Sequence, residues 1–241
     1  MQKIFYLIYG VLAYVLALIG QLWFILYLGE WSFIPRSISD IQTESTLYAL
    51  FVNLFLVLLF GLQHSLMARA WFKQWLTQYI SSVIERSTYV LFSGIALLLF
   101  VLYWEPIDGM LWQVKEGIWH DILTVIYLAG WILSVIASFV INHFELFGLE
   151  QVYLHYRNKP TPTINFQERF FYKFVRHPIQ FGVLIGIWFT PTMTYSHLTL
   201  SLLFTLYIFI GLHYEEKDLL HGLGEVYKDY KKRVGMLWPR R

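Results

Sequence analysis

Long apolar runs without a charged residue constrain this chain more than any other feature of its sequence. The first extends from about residue 4 to residue 28, with Gln21 as its one strongly polar side chain. An uncharged apolar run of 18 or more residues can cross a bilayer as a helix. Only 14% of the 241 residues are charged, whereas roughly a quarter are charged in an average soluble domain. The sequence therefore predicts an all-α fold, a polytopic integral membrane helix bundle.

The apolar runs predict about six membrane helices. Residues 179–213 carry no formal charge, although Pro191 interrupts them near the middle. Because these 35 residues are too many for one span and too few for two full ones, we expect a helical hairpin, either spanning or partly re-entrant. The other predicted spans are residues 4–28, 47–67, 88–104 and 122–141.

The chain shows no repeat, linker or low-complexity segment, so we interpret residues 1–241 as one membrane domain. Residues 1–141 contain the four N-terminal spans. Residues 142–241 contain the hairpin 179–213 and a polar tail that is predicted to form a helix.

The basic residues predict the orientation. Of the 18 Lys and Arg residues, 16 lie on one side of the predicted spans, and only Arg36 and Lys115 lie in the opposite loops. Cytoplasmic loops carry an excess of Lys and Arg. Both termini, and the polar segments after residues 141 and 213, are therefore expected to be cytoplasmic.

Composition excludes several classes of site. The chain has no cysteine, which rules out disulfides and thiolate metal ligands. A net charge of +2 is too small to indicate nucleic-acid binding. We find no convincing metal site, and no Ser/His/Asp arrangement of nucleophile and base.

Arg176, His177 and Pro178 stand directly before the apolar hairpin. Proline is favoured at the first position of a helix, and the free N–H groups of a helix start attract anions. The motif is thus a candidate anion site, with a basic membrane-interface anchor as the alternative.

Glu215 and Glu216 directly follow the hairpin. Two adjacent carboxylates on the predicted cytoplasmic side are either a solvated helix end or a site for hydroxyl or ammonium groups. An apolar stripe at helical spacing follows them and predicts an amphipathic tail helix that packs on the membrane surface or over a neighbouring site. The stripe consists of Leu223, Tyr227, Tyr230 and Val234.

Two histidines lie near predicted cytoplasmic span ends. His64 is in the second span and His143 follows the fourth. Ionisable groups in or at the membrane are functional candidates, and the alternative for each is a hydrogen-bonded interfacial residue.

The polar segments resemble a known superfamily when they are taken in order. Residues 172–180, then 215–216, then 224–230 with Pro239, are similar to motifs of the isoprenylcysteine carboxyl methyltransferases. In that superfamily an Arg-His-Pro-x-Tyr motif and a Glu-Glu helix hold S-adenosylmethionine at the cytoplasmic face.

A closer resemblance covers nearly the whole chain. Residues 63–69, 85–90, 143–151 and 190–194 are similar to segments of the bacterial membrane methanethiol S-methyltransferases. That family makes dimethyl sulfide from methanethiol and S-adenosylmethionine. The resemblance implies a multi-pass enzyme of the bacterial inner membrane, with methanethiol and the lipid bilayer as its partners. It leaves the oligomeric state open.

The resemblance also implies site residues. Gln180 stands where the superfamily has tyrosine, and Gly211 stands where the prenylcysteine enzymes have a substrate-binding arginine. The loss of that arginine argues against a prenylated carboxylate substrate and suits a small neutral thiol. The expected contacts to S-adenosylmethionine are Gln151, Tyr172, Arg176, His177, Pro178, Ile179, Gln180 and Glu215.

The thiol must lose its proton before it attacks. A cysteine thiol has a pKa near 8.5, and a simple alkanethiol lies higher, so a neighbouring base or cation would help. We nominate His64 and His143 as candidate bases, with Arg86 and Tyr89 as polarising groups.

The sequence leaves three alternatives open. One is a methyltransferase of the same superfamily that acts on another small thiol. Another is a haem-binding or isomerase-type membrane protein of nitrogen-oxide metabolism, which would need histidine ligands within the spans. The last is a membrane scaffold or transporter subunit, which would leave the paired cytoplasmic motifs unexplained.

Overall fold

The computed structural model describes residues 1–40, 45–160, 162, 166 and 168–240, and every candidate site residue lies in these ranges. A 3₁₀ turn covers Phe170–Lys173. The two strands are β1 (Met110–Gln113) and β2 (Thr192–Thr194). The helices are α1 (Gln2–Leu28), α2 (Thr46–Ala68), α3 (Ala70–Leu76), α4 (Ser82–Tyr103), α5 (Ile118–Ile141), α6 (His143–Leu146), α7 (Leu149–Tyr156), α8 (Pro178–Trp188), α9 (Tyr195–Leu223) and α10 (Glu225–Arg233).

The predicted all-α membrane architecture is confirmed. Among the described helices, α1, α2, α4, α5 and α9 are long and apolar enough to cross a bilayer. The hairpin consists of α8 and α9, and α10 is the tail helix. With 11 residues, α8 is only about 16 Å long, which is short of a hydrocarbon core of about 30 Å.

Three ends of the described helices differ from the predicted span limits by four residues or more, and one of them is the start of α5 at Ile118 rather than at residue 122. Helix α4 begins at Ser82 rather than at residue 88, because the Ser81 hydroxyl accepts a hydrogen bond from the Val83 N–H and caps the helix. Helix α9 continues ten residues beyond residue 213 and ends at Leu223, and it is followed by Gly224, which has a φ of +60°. The predicted limits were the ends of the uncharged apolar runs, whereas these helices continue into the neighbouring polar segments.

The chain forms two compact units. The first unit is Met1–Asp108 with Asn142–Thr163, and the second is Gly109–Ile141 with Ile164–Arg241. The interpretation as one membrane domain, with its halves at 1–141 and 142–241, stays a prediction.

Small residues let α1 and α4 approach closely in the first unit. A Cβ at Gly20 would lie 2.6 Å from the Gly94 carbonyl oxygen, and a Cβ at Gly94 would lie 2.6 Å from the Ala17 Cα. Helices in lipid associate through such close backbone contacts because lipid tails are as apolar as the side chains.

The second unit uses the same device where α5 meets α8. A Cβ at Gly130 would lie 2.7 Å from both the Gly182 carbonyl oxygen and the Gly186 nitrogen, and a Cβ at Gly182 would collide with the Gly130 carbonyl oxygen. The Ser134 hydroxyl donates to the Ile179 carbonyl oxygen over 2.7 Å. This packing holds the first turn of α8 against α5.

Helix α9 satisfies the other end of α8. His197 Nε2, at 3.0 Å, and the Ser201 hydroxyl, at 2.7 Å, both donate to the Ile187 carbonyl oxygen. Trp188 Nε1 donates to the Thr205 hydroxyl over 2.9 Å. A helix that ends at membrane depth needs such partners because lipid supplies none. Residues 192–194, in the break around Pro191, pair antiparallel with β1.

We expect Gly182→Ala and Gly211→Ala to change stability in opposite directions. The new methyl at Gly182 meets backbone and should cost about 1–3 kcal/mol of unfolding free energy. The methyl at Gly211 meets nothing within 4 Å, so the better helix propensity of alanine should add about 0.5–1 kcal/mol. Unfolding of the detergent-solubilised variants measures both effects. Equal stability of the two variants would contradict close packing of α5 on α8.

Candidate active site

The motif Arg176-His177-Pro178 forms the start of α8. Pro178 is the first residue of the helix, as predicted, since a proline there loses no intrahelical hydrogen bond. The Arg176 and His177 side chains are each only 4% exposed. Arg176 is therefore not a solvated interfacial anchor.

The two adjacent glutamates have different environments. The Glu215 side chain is 47% exposed, whereas the Glu216 side chain is 8% exposed. Consecutive helical residues point about 100° apart, and only Glu216 falls on the buried stripe of α9. That stripe consists of His197, Ser201, Phe204, Ile208, Leu212 and Glu216. Sequence reasoning missed the role of Glu216, although this spacing could have revealed it.

Three basic side chains converge on the Glu216 carboxylate. Its Oε1 accepts from Arg176 Nε at 2.7 Å and also pairs with Arg176 Nη2. The same oxygen lies 3.3 Å from His177 Nε2, and Oε2 lies 2.7 Å from Lys231 Nζ. We call these four residues the Glu216 cluster. A carboxylate this buried is tolerated only when it is paired and hydrogen-bonded.

The C-terminal tail, residues 224–240, completes the cluster. Arg176 Nη1 donates to the Val234 carbonyl oxygen and, over 3.3 Å, to that of Lys231. The backbone N–H groups of Arg176 and His177 donate to the carbonyl oxygens of Gly235 and Met236. The tail is thus hydrogen-bonded to the backbone of the motif as well as to its arginine side chain.

The predicted apolar stripe is divided between the end of α9 and the C-terminal tail, and three of its four residues are buried while Leu223 is partly buried. Tyr227, Tyr230 and Val234 form a cluster that also packs against Leu223. The Tyr230 hydroxyl donates to the Tyr172 carbonyl oxygen over 2.6 Å. The stripe therefore closes over the motif segment rather than facing solvent.

The phenols of this region are protonated at neutral pH. Burial, and next the charge of Glu215, raises the pKa of Tyr172 well above its ordinary value. Burial, and next Glu168, raises the pKa of Tyr230 to about 12. Tyr172 donates to the Ala137 carbonyl oxygen over 3.3 Å, and both phenols act as donors.

The first unit holds a second polar cluster around His64. The Tyr89 hydroxyl lies 2.8 Å from His64 Nε2, and the Ser93 hydroxyl lies 3.2 Å from His64 Nδ1. The Arg86 guanidinium lies 4.9 Å from the centroid of the Tyr89 ring and donates through Nε to the Leu146 carbonyl oxygen over 2.8 Å. Three of the four predicted catalytic candidates are therefore brought together.

His143 belongs to a separate aromatic setting in the same unit. Its Nε2 lies 2.9 Å from the Tyr14 hydroxyl, and its ring stacks on Phe147 with 4.5 Å between centroids. Burial lowers the pKa of His143 below its ordinary value, which favours the neutral imidazole that a general base needs.

Gln151 lies on α7 in the first unit, whereas the other predicted cofactor contacts lie in the second unit. Its Nε2 donates to the Glu145 carbonyl oxygen over 3.1 Å. Its Oε1 is buried and has no hydrogen-bond partner among the described residues. Such an acceptor is unusual in a folded protein and calls for a donor.

The fold and these clusters define a polytopic α-helical membrane protein with an ionic site at the start of a C-terminal helical hairpin. Comparison with known proteins identifies the family. The chain is 40% identical to a methanethiol S-methyltransferase of Mycobacterium tuberculosis, over 100% of this chain and 99% of that protein. It is 39% identical to a methanethiol S-methyltransferase of Crocosphaera subtropica, over 99% and 93%.

A more distant relative comes from an animal. Nurim of Bos taurus is 34% identical, over 76% of this chain and 72% of that protein. No protein-family model and no solved structure matches the chain. The chain belongs to the methanethiol S-methyltransferase family, as its motifs indicated, and it is an enzyme of the methyltransferase class.

We expect Glu216→Gln to destabilise the protein much more than Glu215→Gln. Loss of the Glu216 charge leaves the buried Arg176 guanidinium uncompensated, which should cost about 3 kcal/mol or more. Loss of the half-exposed Glu215 charge should change the unfolding free energy by at most about 0.5 kcal/mol. Thermal unfolding in detergent measures the difference, and equal destabilisation would contradict the separate roles.

Proposed function

We propose that this protein transfers a methyl group from S-adenosylmethionine to methanethiol and releases dimethyl sulfide. The curated relatives that it matches over nearly its whole length are named for methanethiol methylation. The observation that carries the proposal within this chain is the proximity of Glu215 to His177. His177 Nδ1 lies 3.8 Å from Glu215 Oε2, at the N-terminus of α8.

The donor set fits the polar groups of S-adenosylmethionine. An exposed carboxylate such as Glu215 accepts hydrogen bonds from a ribose diol or an ammonium group. The first N–H groups of α8 have no intrahelical partner and favour a carboxylate. The carboxylate acceptor and the helix N–H donors of the second unit together match a zwitterionic amino-acid and nucleoside ligand.

The predicted contact residues divide into two roles. We propose that Gln151, Tyr172, His177, Gln180 and Glu215 contact the co-substrate through their side chains. Pro178 and Ile179 form the start of the first turn of α8, and their backbone faces the co-substrate in this proposal.

Arg176 has a different role in this proposal. Its guanidinium is 4% exposed and already donates to Glu216 and to the tail carbonyls. Arg176 therefore holds the motif in place and does not itself touch the co-substrate.

When bound, S-adenosylmethionine supplies an electrophilic methyl carbon on a positively charged sulfur. The thiolate sulfur forms a bond to that carbon, the bond from the carbon to the sulfonium sulfur breaks, and its electron pair stays on the departing sulfur. The reaction neutralises two opposite charges, so the exclusion of water by the surrounding apolar helices favours it.

The proton of methanethiol needs an acceptor. We propose His64 or His143 as the base, because the Nε2 atom of each ring lies beside a tyrosine hydroxyl, that of Tyr89 for His64 and that of Tyr14 for His143. Arg86 and Tyr89 polarise the thiol, since a cation and a hydroxyl donor both stabilise a developing thiolate.

The substrate proposal also agrees with Gly211. This residue lies one turn before Glu215 on α9, and the space beside it is open. A glycine offers no cation for a carboxylate, so a small neutral thiol that arrives through the bilayer suits this surface.

We further propose that the protein resides in a bacterial inner membrane with both termini and the co-substrate site on the cytoplasmic side. The excess of basic residues at the polar segments of the second unit supports this orientation. S-adenosylmethionine, a charged and water-soluble molecule, is then directly accessible.

The first test measures dimethyl sulfide in the headspace above purified protein that is supplied with methanethiol and S-adenosylmethionine. We expect saturable production that falls at least about tenfold in His177→Ala and Glu215→Gln. The matched control is Glu225→Gln, a 76% exposed carboxylate that pairs with Lys228, and it should retain wild-type turnover. If the protein methylates hydrogen sulfide or a selenol but not methanethiol, the substrate in the proposal is wrong and another small substrate takes its place. Absence of any methylated product would refute the proposal.

The second test addresses the base. We expect His64→Ala or His143→Ala to lower turnover about 10²-fold to 10⁴-fold near pH 7. The loss should shrink towards pH 9, because more of the thiol is ionised there without help. His120→Ala, at a partly exposed position beside Asp121, is the control. Intact turnover of the double variant over pH 6 to 9 would eliminate both histidines.

A further inference from the structure

We propose that Glu216 and Lys231 are positioning residues that orient His177 for the methyl donor, so that co-substrate affinity depends on the C-terminal tail. The inference rests on the proposed function and assigns a task to residues beyond the predicted contacts. In this inference Glu215 contacts the ligand, whereas Glu216 orients His177.

The two ring nitrogens of His177 face different glutamates. Its Nε2 lies 3.3 Å from Glu216 Oε1, and its Nδ1 lies 3.8 Å from Glu215 Oε2. An ionised carboxylate can only accept hydrogen bonds, so Nε2 donates to Glu216. This bond determines the ring orientation and turns Nδ1 towards the exposed carboxylate. A rotated ring would lose the buried partner.

Glu216 can orient His177 only if its own carboxylate is held. Arg176 and His177 both use Oε1, whereas Lys231 alone among the described partners uses Oε2. Lys231 belongs to α10, so the tail locks the rotation of the carboxylate about its last bond. Without Lys231, the plane of the carboxylate is no longer restrained on the tail side.

The backbone of the tail reinforces the same arrangement. The Arg176 and His177 N–H groups donate to Gly235 and Met236, and the Tyr230 hydroxyl donates to the Tyr172 carbonyl oxygen. The segment from Tyr172 to His177 thus has tail partners on its backbone as well as on its side chains. The orientation of the predicted ligand contacts therefore depends on the hydrogen bonds that the tail makes with this segment.

Lys231 permits a test that spares the fold. Its side chain is 39% exposed, so replacement by methionine leaves Arg176 and His177 on Glu216 and strands no deeply buried charge. Lys228→Met is the matched control, because this lysine lies on the same helix and pairs only with Glu225 among the described residues. Lys231→Arg retains the charge and serves as the conservative replacement.

The measurement is the dissociation constant for S-adenosylhomocysteine, by calorimetry on the full-length protein in detergent, together with kcat and KM for the methyl donor. We expect Lys231→Met to raise the dissociation constant and KM about fivefold to tenfold, with kcat at saturation nearly unchanged. Lys228→Met should match the wild type, and Lys231→Arg should recover most of the affinity. The unfolding temperature of all three should stay close to the wild-type value.

The outcomes separate this inference from the proposed function. Equal affinity of wild type and Lys231→Met would overturn the inference while the proposed function stands. Weaker binding in both Lys231→Met and Lys228→Met would reduce the effect to general tail charge and would also overturn it. No binding of S-adenosylhomocysteine or S-adenosylmethionine by the wild type would overturn the proposed function, and the inference with it.

Discussion

The second unit depends on one buried carboxylate. Four donor atoms from Arg176, His177 and Lys231 converge on the two oxygens of Glu216. Glu216 and Arg176 would each be costly to bury alone, and they are tolerated because their opposite charges are paired and hydrogen-bonded. Through these contacts the start of α8, the end of α9 and the tail helix are held in one arrangement, and the proposed ligand residues Tyr172 and Glu215 flank it.

The lipid that surrounds the membrane helices explains the rest of the packing. Lipid offers no driving force for apolar side chains to associate, so glycines bring helix backbones together, as at Gly94 in the first unit and Gly182 in the second. Lipid also offers no hydrogen bonds, so the short helix α8 depends on His197 and Ser201 for its Ile187 carbonyl group. Polar residues within apolar helices therefore have structural tasks here, and only some of them are candidates for chemistry.

The sequence predicted the membrane helices well because each span must be apolar over a bilayer's thickness whatever its neighbours are. It was less accurate at helix ends, where Ser81 extends α4 and where α9 continues past Glu216. For the site, the sequence pointed to the motif around His177 and to the two glutamates, and the structure brings these residues close together. The choice between the glutamates was not made, because exposure depends on which face of α9 meets the tail.

The sequence by itself determined the class of fold, the helical hairpin and the family, since hydropathy and ordered motifs are local properties of the chain. Tertiary structure alone decided that Arg176 pairs with Glu216, that Lys231 reaches the same carboxylate from the tail, and that His64 meets Tyr89 while His143 meets Tyr14. The physical reason is that a charge or a ring nitrogen finds its partner through three-dimensional packing. Residues 40 positions apart, such as Arg176 and Glu216, carry no sign of one another until the helices between them pack.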